Sequence, residues 1–307
     1  MGRFLIRRLL LAIPTLVLLA AVTFTVGRLA PGDPATHILG ERATPESIAR
    51  LRAEMGLDRP MGEQFLRYLA GLCRGDLGVS YYDGRPVLAI LRETYPETLR
   101  LAGLAVLVSV LVGVPLGLLA AAYQDRWVDR AAMAVAVVGM SLPSFLLATL
   151  LLRWFAQGLG WVPVAYSGRP EELILPALAL GLRPAALIAR LTRASVLEAL
   201  RQEYTRTALA KGASRARALL RHAFPNALVP VLTVIGVSTG YLLGGSFVIE
   251  KIFVIPGIGG LSVDCIIRRD YPVIQAVTLL GATAFVLVNL GVDLLYAVVD
   301  PRVRTAS

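Results

Sequence analysis

Six long apolar segments occupy most of this chain and restrict it to a small set of folds. Each approaches the roughly 20 residues that a helix needs to cross about 30 Å of hydrocarbon. The six segments are residues 9–29, 99–122, 131–155, 173–191, 227–248 and 273–299. Because lipid offers no partners for backbone N–H and C=O groups, each crossing has to be a helix. The sequence therefore predicts an all-α integral membrane protein with six transmembrane helices.

The basic net charge fits membrane topology better than nucleic-acid binding. Hydrophobic residues make up 56% of the chain and the mean hydropathy is +0.67, above the apolar content of about 45–50% in soluble domains. The net charge is +10, but the basic residues flank apolar spans, as the positive-inside rule requires. The first span follows Arg3, Arg7 and Arg8 and is longer than a cleaved signal core, so we expect a retained anchor. No nucleic-acid partner is expected.

The short loops predict which side of the membrane each segment occupies. Residues 123–130 contain Arg126 and Arg130, residues 190–221 contain eight Lys/Arg against two acids, and the tail 300–307 contains further arginines. With six spans these loops lie on one side, which the positive-inside rule makes the cytoplasm. We therefore expect both termini in the cytoplasm and a multi-pass protein of the cytoplasmic membrane.

Residues 30–98 are expected to form a small extracytoplasmic helical cap between the first two spans. They carry eight arginines against ten acids, a net charge of 8 − 10 = −2. Thr44 and Pro45 predict a helix start, and apolar residues then recur at helical spacing in two short stretches. Cys73 and Cys265 both fall outside, where they are either bridged or free. Two cysteines are too few for a disulfide framework, and we favour free thiols.

Catalytic chemistry is not indicated by any motif in the sequence. The two histidines, His37 and His222, are expected on opposite sides of the membrane, which excludes a two-histidine metal site. The zinc-protease, nucleophile-elbow and phosphate-loop patterns are missing from the sequence. The glycines of residues 257–260 lack the lysine and the strand–helix context of a phosphate loop, and we interpret them as a tight turn.

One carboxylate, Asp293, lies deep within an apolar span, where ionisable groups are costly and often functional. It could serve as a proton or ion relay, which would make the chain a secondary transporter. Alternatively it contributes to helix packing together with Asn289, four residues earlier on the same helix face. Because the other spans offer no acidic partner, we favour the packing role.

The basic stretch 201–230 reads as a bent pair of helices on the cytoplasmic side. Helix-forming residues dominate positions 195–211, and Gly212 permits a positive-φ stop. Ser214 can cap a second helix over 214–221, and Pro225 ends the helical pair. Small residues at the bend (Ala208, Ala210, Gly212 and Ala213) would let another protein approach the backbone closely. The alternative is a solvated basic helix that touches anionic lipid head groups.

Specific motifs in this stretch match a known pattern. Residues 206–212 fit R-T-A-x-A-K-G and residues 222–230 fit H-A-x-x-N-A-x-x-P. On these residues the chain resembles the permease subunits of ABC importers, closest to the dipeptide/oligopeptide branch. The glutamate and isoleucine of the general importer motif are absent, and Pro225 stands where that branch more often has arginine. The other matches are Pro31-Gly32-Asp33-Pro34, Pro143-Ser144-Phe145, Glu250, Phe253, Pro256-Gly257-Ile258-Gly259, residues 269–272, Asn289, Asp293, Tyr296 and residues 300–302.

The resemblance implies a coupling loop over residues 195–225 that docks on a cytoplasmic ATPase. The residues that would make this contact are Arg206, Thr207, Ala208, Ala210, Lys211, Gly212, Ala213 and Ser214, and the loop would end with His222, Asn226 and Pro230. On the outside, Pro256, Gly257 and Gly259 would contact a substrate-binding protein. The implied domains are residues 1–29 (first span), 30–98 (cap), 99–299 (five-helix permease core) and 300–307 (tail).

The resemblance further implies a permease that forms half of a translocation pore and is not an enzyme. Its implied partners are a second, homologous permease subunit in a heterodimer, two ABC ATPase subunits, an extracytoplasmic substrate-binding protein and the lipid bilayer. ATP and Mg would be bound in the ATPases, so no cofactor is expected in this chain. Di- or oligopeptides are the expected cargo, with nickel chelates and glutathione left open. A proton-coupled transporter and an intramembrane enzyme or receptor are the competing function classes.

Overall fold

The computed structural model describes residues 2–29, 33–40, 43–244 and 246–299. Within these residues the regular elements are helices, apart from one isolated antiparallel bridge between Val79 and Pro86. The prediction of an all-α membrane fold is confirmed. The expected tail 300–307 and the Pro31-Gly32 match lie outside the described residues, as does the side chain of His37.

The described helices follow one another with short connections. In chain order they are α1 (Gly2–Leu29), α2 (Pro34–Leu39), α3 (Pro45–Glu54), α4 (Met61–Cys73), α5 (Val87–Ala122), α6 (Trp127–Ser141), α7 (Ser144–Leu151), α8 (Ile174–Leu200), α9 (Glu203–Ala210), α10 (Arg215–Arg217), α11 (Phe224–Leu243), α12 (Phe247–Ile252), α13 (Ile258–Arg268) and α14 (Tyr271–Val299). A π-helical stretch follows α7 at Leu152–Gly158, and another joins α10 to α11 at Ala218–Ala223. A 3₁₀ turn, Pro170–Leu173, leads into α8.

Among the described residues, five helical segments are long and apolar enough to cross a membrane, and a sixth crossing is possible if one bent pair counts as a span. The five are Leu10–Leu29, Val87–Ala122, Pro170–Leu200, Arg215–Leu243 and Tyr271–Tyr296. The bent pair is Trp127–Ser141 with Ser144–Gly158, which meet at 99°. The sequence predicts one span over 131–155. The chain breaks there because Pro143 disfavours the helical conformation of the residue before it, and Leu142 is extended at ψ 124°.

Helix α5 is longer than the span expected over residues 99–122. It begins at Val87 and takes in the last part of the expected cap. At about 1.5 Å per residue its 36 residues extend about 54 Å, well beyond the hydrocarbon thickness. The added turns are helical because Val87, Ile90 and Leu91 pack in a buried cluster with residues of α13 and α14. The end of the protein that carries this cluster is called the cap end.

The cap contains the two expected helices, α3 and α4, and a third, α2, which the sequence reading did not include. Thr44 caps α3, its side chain accepting a hydrogen bond from the Ser47 N–H, with Pro45 in the first turn. The predicted start of this helix is confirmed. Helix α4 rests on α1, where the Phe24 ring lies 5.4 Å from that of Phe65. Aromatic contacts at this distance stabilise the packing.

Helices α5 and α8 form the tightest seam of the described core. A methyl group added at Gly117 would lie 2.5 Å from the Ala189 carbonyl oxygen, and one at Gly113 would lie 2.5 Å from that of Ala185. Small residues allow such close backbone approach in membranes. The Ser109 hydroxyl adds an interhelical hydrogen bond to the Gly181 carbonyl oxygen at 2.9 Å. The seam makes α5 and α8 a rigid pair that runs between the two ends of the protein.

Candidate functional site

The basic bend predicted from the sequence is a compact elbow at the end of the bundle opposite the cap. We call residues 203–217, from α9 to α10, the basic elbow. Helix α9 ends at Ala210 and Gly212 has a φ of +90°. The Ala213 N–H donates to the Ala208 carbonyl and the Gly212 N–H to that of Leu209. This pair of bonds is a Schellman motif, and the predicted positive-φ stop at Gly212 is confirmed.

The second arm of the elbow begins at Ser214, as predicted. The Arg217 N–H donates to Ser214 Oγ at 3.3 Å, and α10 starts at Arg215, directly after Ser214. The arm does not end at Pro225, however. The chain stays helical through the π-helical stretch 218–223 into α11, with Pro225 in the first turn of α11. Because the helix continues through this position, Pro225 removes one backbone N–H from the ladder, and membrane helices accommodate such a loss by local π-helical adjustment.

The predicted first arm also differs from the structure. The sequence predicts one helix over 195–211, whereas α8 ends at Leu200 and α9 begins at Glu203. Thr205 explains the break. Its side chain is fully buried and its hydroxyl donates to the Ala199 carbonyl at 2.9 Å, which satisfies a carbonyl at the end of α8. The hydroxyl thus fixes α9 against α8 at a bend.

Both ends of the elbow adjoin one buried apolar cluster. Its members are Ala121 of α5, Val196 and Ala199 of α8, Leu219 and Ala223 of the π-helical stretch, and Ala227 of α11. The elbow is therefore attached to three long helices by burial of small and branched side chains. The elbow and the adjoining ends of these helices therefore share one closely packed interior.

The residues predicted to meet a partner lie mostly on the surface of the elbow. Ala208 and Ala213 are half-buried, and the other predicted residues are exposed: Arg206, Thr207, Ala210, Lys211, Gly212 and Ser214. Arg206 pairs with Glu203 at 3.1 Å, but both side chains are largely exposed, so the pair contributes little to stability. A methyl group added at Gly212 would meet nothing within 4 Å. The bend is open to an approaching surface.

An open cleft of about 880 Å³ runs beside the elbow, between it and the end of α5. Its walls include Leu119 and Tyr123 from the end of α5 and Leu209 from α9. Arg126 and Arg215 also line it, so the α5–α6 turn and the basic elbow lie at the same end of the protein. This end combines exposed apolar side chains with an excess of positive charge, a composition typical of interaction surfaces.

The residues predicted to end the loop lie in helix. The Asn226 side chain donates to the His222 carbonyl at 2.7 Å, which adds a hydrogen bond in the turn around Pro225. His222 is half-buried, and Pro230 lies exposed inside α11. These residues shape the connection between the elbow and α11.

At the cap end, the predicted glycine turn surrounds a buried carboxylate. Glu250 is fully buried, and its Oε2 accepts the Gly260 N–H at 3.0 Å. A methyl group at Gly257 would lie 2.5 Å from Thr98 Oγ1, and one at Gly259 would lie 2.9 Å from Glu250 Oε2. Both glycines are buried while Pro256 is exposed. Of the three predicted contacts for a binding protein, only Pro256 offers surface.

Asn289 and Asp293 lie one turn apart on α14, and both side chains are half-buried. Sequence reasoning missed Thr205, and it named Glu250 only as a match to the family pattern, without a structural role. Thr205 is fully buried and lies three residues before the half-buried Ala208, a spacing that places both on one face of α9. Glu250 has one charged neighbour in α12, Lys251, and its partner Thr98 is 152 positions away in the sequence.

Comparison with known proteins agrees with this arrangement. Residues 113–305 match the family described as the binding-protein-dependent transport system inner membrane component, and residues 1–102 match the corresponding N-terminal family. The proteins named glutathione transport system permease protein GsiC from Salmonella paratyphi A and Escherichia coli are each 43% identical over 304 residues, covering 99% of both chains.

A solved structure shares the fold. The structure described as an inward-facing conformation of the MetNI methionine ABC transporter aligns with a TM-score of 0.59 and 18% identity, over 69% of this chain and 97% of that chain. The family match covers more than half of the sequence. This chain therefore belongs to the binding-protein-dependent transport system inner membrane components, the multi-pass permease subunits of ABC importers in the cytoplasmic membrane.

Proposed function

We propose that this permease imports peptides and that the basic elbow is its contact with a cytoplasmic ATPase. The observation that carries the proposal is the contrast within the elbow. Its tip, Thr207 to Ser214, is largely exposed, while Thr205 is fully buried and hydrogen-bonded to the end of α8. An exposed tip that is fixed to the bundle by a buried, hydrogen-bonded residue is suited to transmitting force between subunits.

The cytoplasmic orientation of the elbow is supported by charge. Arg126 and Arg215 line the same cleft, and short basic loops mark the cytoplasmic side of membrane proteins. In this orientation the exposed Lys211 and Arg206 face the aqueous compartment that contains ATP.

Two routes lead from the elbow into the membrane. One runs through Thr205 to α8, which is closely packed on α5 at Gly113 and Gly117. The other runs through the continuous helical segment Arg215–Leu243 into α11. Closure of an ATPase pair on ATP would move the elbow as a rigid body and tilt these helices, which gives alternating access by hinge and shear motion.

The proposed assembly contains two permeases, two ATPases and an extracytoplasmic binding protein. This chain would supply half of the pore and a second, homologous permease the other half. ATP and Mg²⁺ would be bound by the ATPases. The exposed Pro256 at the cap end would contact the binding protein. Because relatives at 43% identity are named for glutathione, which is a tripeptide, we propose short peptides as the cargo.

The elbow is tested by two substitutions at its tip. Lys211→Glu reverses an exposed charge, and Gly212→Trp places bulk where a methyl group would meet no atom within 4 Å and adds strain at φ +90°. Both are expected to abolish co-purification of the ATPases and ATP-dependent uptake in proteoliposomes while leaving membrane insertion intact. Normal ATPase binding by both variants would refute the coupling role.

Two matched controls separate docking from general damage. Gly160 resembles Gly212, with a φ of +65° and open space around it, but it lies outside the elbow. Gly160→Trp therefore introduces comparable backbone strain without changing the proposed ATPase contact. Arg74→Glu reverses an exposed charge in the cap. Both should retain ATPase binding. The cargo is tested separately, by competition of glutathione, dipeptides and longer peptides for uptake by the complete transporter.

A further inference from the structure

One ion pair, with a buried carboxylate and a partly exposed guanidinium, joins the bent span to the helix that supports the basic elbow. Arg193 Nε lies 2.6 Å from Asp129 Oδ1, and Arg193 Nη2 lies 2.6 Å from Asp129 Oδ2. The Asp129 side chain is 4% exposed and that of Arg193 26%. Asp129 Oδ2 also accepts the Asp125 N–H at 2.9 Å, so the same carboxylate fixes the α5–α6 turn.

The two residues stand at mechanically distinct places. Arg193 lies on α8 two turns before Leu200, where α8 leads to α9 and its anchor Thr205. Asp129 lies in the first turn of α6. The other end of α6 is the 99° bend before α7. The pair therefore connects the root of the elbow to the near end of the broken span.

Apart from this ion pair, α6 contacts α8 mainly through small side chains, which fix the register of the two helices only weakly. Asp129, Ala132 and Ala136 are the buried residues of α6, and a methyl group added at Gly139 would make only ordinary contact with Ala186 at 3.6 Å. A second polar link, from Arg190 Nη1 to Met140 Sδ at 3.6 Å, is exposed and involves a weak acceptor. Unlike Gly113 and Gly117 in the α5–α8 seam, Gly139 leaves room for a methyl group, so the steric fit of α6 against α8 fixes their register less tightly.

A bidentate pair supplies the missing constraint. Two parallel N–H···O bonds fix both the distance and the relative orientation of guanidinium and carboxylate. A buried ion pair contributes little net stability compared with apolar packing of the same volume, but it can specify one register between helices.

We infer that Asp129 and Arg193 are positioning residues that make α6 move as one unit with α8, so that displacement of the elbow reaches the bent span. The inference rests on the proposed ATPase contact at the elbow, since it concerns the path of that motion. The pair touches neither the exposed tip nor the glycine turn at the cap end. Its loss should uncouple transport from ATP hydrolysis without releasing the ATPases.

The test compares Arg193→Lys, which keeps the charge but loses the fork, with Arg190→Lys, the matched control on the same helix. Each permease is reconstituted as the complete transporter, and ATP hydrolysed per peptide imported is measured. Arg193→Lys should raise this ratio about tenfold, within the range by which substitutions between two sites change coupling. Arg190→Lys should leave it unchanged. The double variant Asp129→Arg/Arg193→Asp should restore part of the coupling, which guards against mere misfolding.

A distance measurement gives a readout that does not depend on transport. Spin labels are placed at Val135→Cys on α6 and Leu187→Cys on α8 in a Cys73→Ser background, since both positions are exposed. The distance between labels should stay constant between ATP-bound and nucleotide-free states, and should change between them in Arg193→Lys. An invariant distance and an unchanged ratio in Arg193→Lys would overturn the inference. The two proposals fail in different experiments. Normal ATPase binding by Lys211→Glu and Gly212→Trp would refute the proposed function, whereas an unchanged Arg193→Lys transporter would refute only the role of the ion pair.

Discussion

Thr98 Oγ1 donates a hydrogen bond to the fully buried Glu250 Oε1 at 3.1 Å, across 152 positions of sequence. The same oxygen accepts the Ile258 N–H at 2.9 Å, at the start of α13. One hydroxyl thus joins α5, α12 and α13 at the cap end. Since α5 is also closely packed on α8, this junction connects the cap end to the helix that roots the basic elbow.

Replacing Thr98 with valine tests the junction. Thr98→Val keeps the shape but leaves the Ile258 N–H without its acceptor and removes a donor from Glu250. Unmade hydrogen bonds of buried groups cost about 1–3 kcal/mol, so we expect a lower unfolding temperature in detergent. Thr149→Val is the control, because the Thr149 hydroxyl is exposed and bonds only within its own helix. Equal unfolding temperatures for both variants would contradict the assignment.

The glycine turn at the cap end should not accept even a methyl group. In Gly257→Ala the new carbon would lie 2.5 Å from Thr98 Oγ1, so the turn or the junction has to shift. Overpacking of this kind costs about 1–3 kcal/mol. The measurement is thermal unfolding together with uptake by the complete transporter. Gly103→Ala is the control, since a methyl group there meets nothing within 4 Å, and it should behave as wild type or be slightly more stable. If Gly257→Ala unfolds at the wild-type temperature and supports wild-type uptake, the turn has room for a methyl group and the close packing around Gly257 is refuted.

The α5–α8 seam makes a parallel prediction inside the membrane. Gly117→Ala would bring a methyl group within 2.5 Å of the Ala189 carbonyl oxygen and 2.6 Å of Thr192 Cβ. Because both are parts of a rigid helix, α5 and α8 have to separate, with a cost of about 1–3 kcal/mol. We expect lower thermal stability and a reduced yield of folded protein, again relative to Gly103→Ala. Unchanged stability would mean that the seam can open without cost.

Local sequence signals were sufficient for the elbow and insufficient for the long-range contacts. Gly212 and Ser214 were predictable because caps depend on residues within one turn. The bend at Pro143 was harder to predict, since Pro115 lies inside the unbroken helix α5. Whether a proline breaks a membrane helix depends on neighbouring helices that can satisfy the freed carbonyl groups. The pairs Thr98–Glu250 and Asp129–Arg193 join distant segments, and single-sequence patterns carry no information on such contacts.

Thr205 and Thr207 separate anchoring of the elbow from its contacts. Thr205→Val removes the bond to the Ala199 carbonyl, with a net cost of about 0.5–1.5 kcal/mol, while keeping the buried shape. We expect faster hydrogen exchange throughout α9 in the isolated permease. Thr207 is exposed, so Thr207→Val should leave exchange unchanged. Under the proposed function, Thr207→Val acts only on ATPase binding. Equal exchange in the two variants would argue against the anchor.

The two cysteines should differ sharply in reactivity. Both are free thiols, as the sequence reading favoured, with Cys73 exposed and Cys265 buried. Burial, reinforced by the negative charges of Asp270 and Asp264, raises the pKa of Cys265 to about 12. Since the thiolate is the reactive species, a raised pKa keeps Cys265 in the inert thiol form until the pH approaches that value.

A maleimide should therefore label one thiol per folded chain at a pH of about 7 to 9, where an ordinary cysteine near pKa 8.5 reacts readily. Cys73→Ser should abolish the labelling, and unfolding in detergent should expose the second thiol. If Cys73 lies on the outside, as the charge pattern predicts, a membrane-impermeant maleimide will label it in intact cells or spheroplasts. Labelling only after the membrane is opened would reverse the orientation and place the basic elbow outside, which would refute the ATPase contact. Prompt labelling of two thiols in the folded chain would contradict the burial of Cys265 beside Asp270.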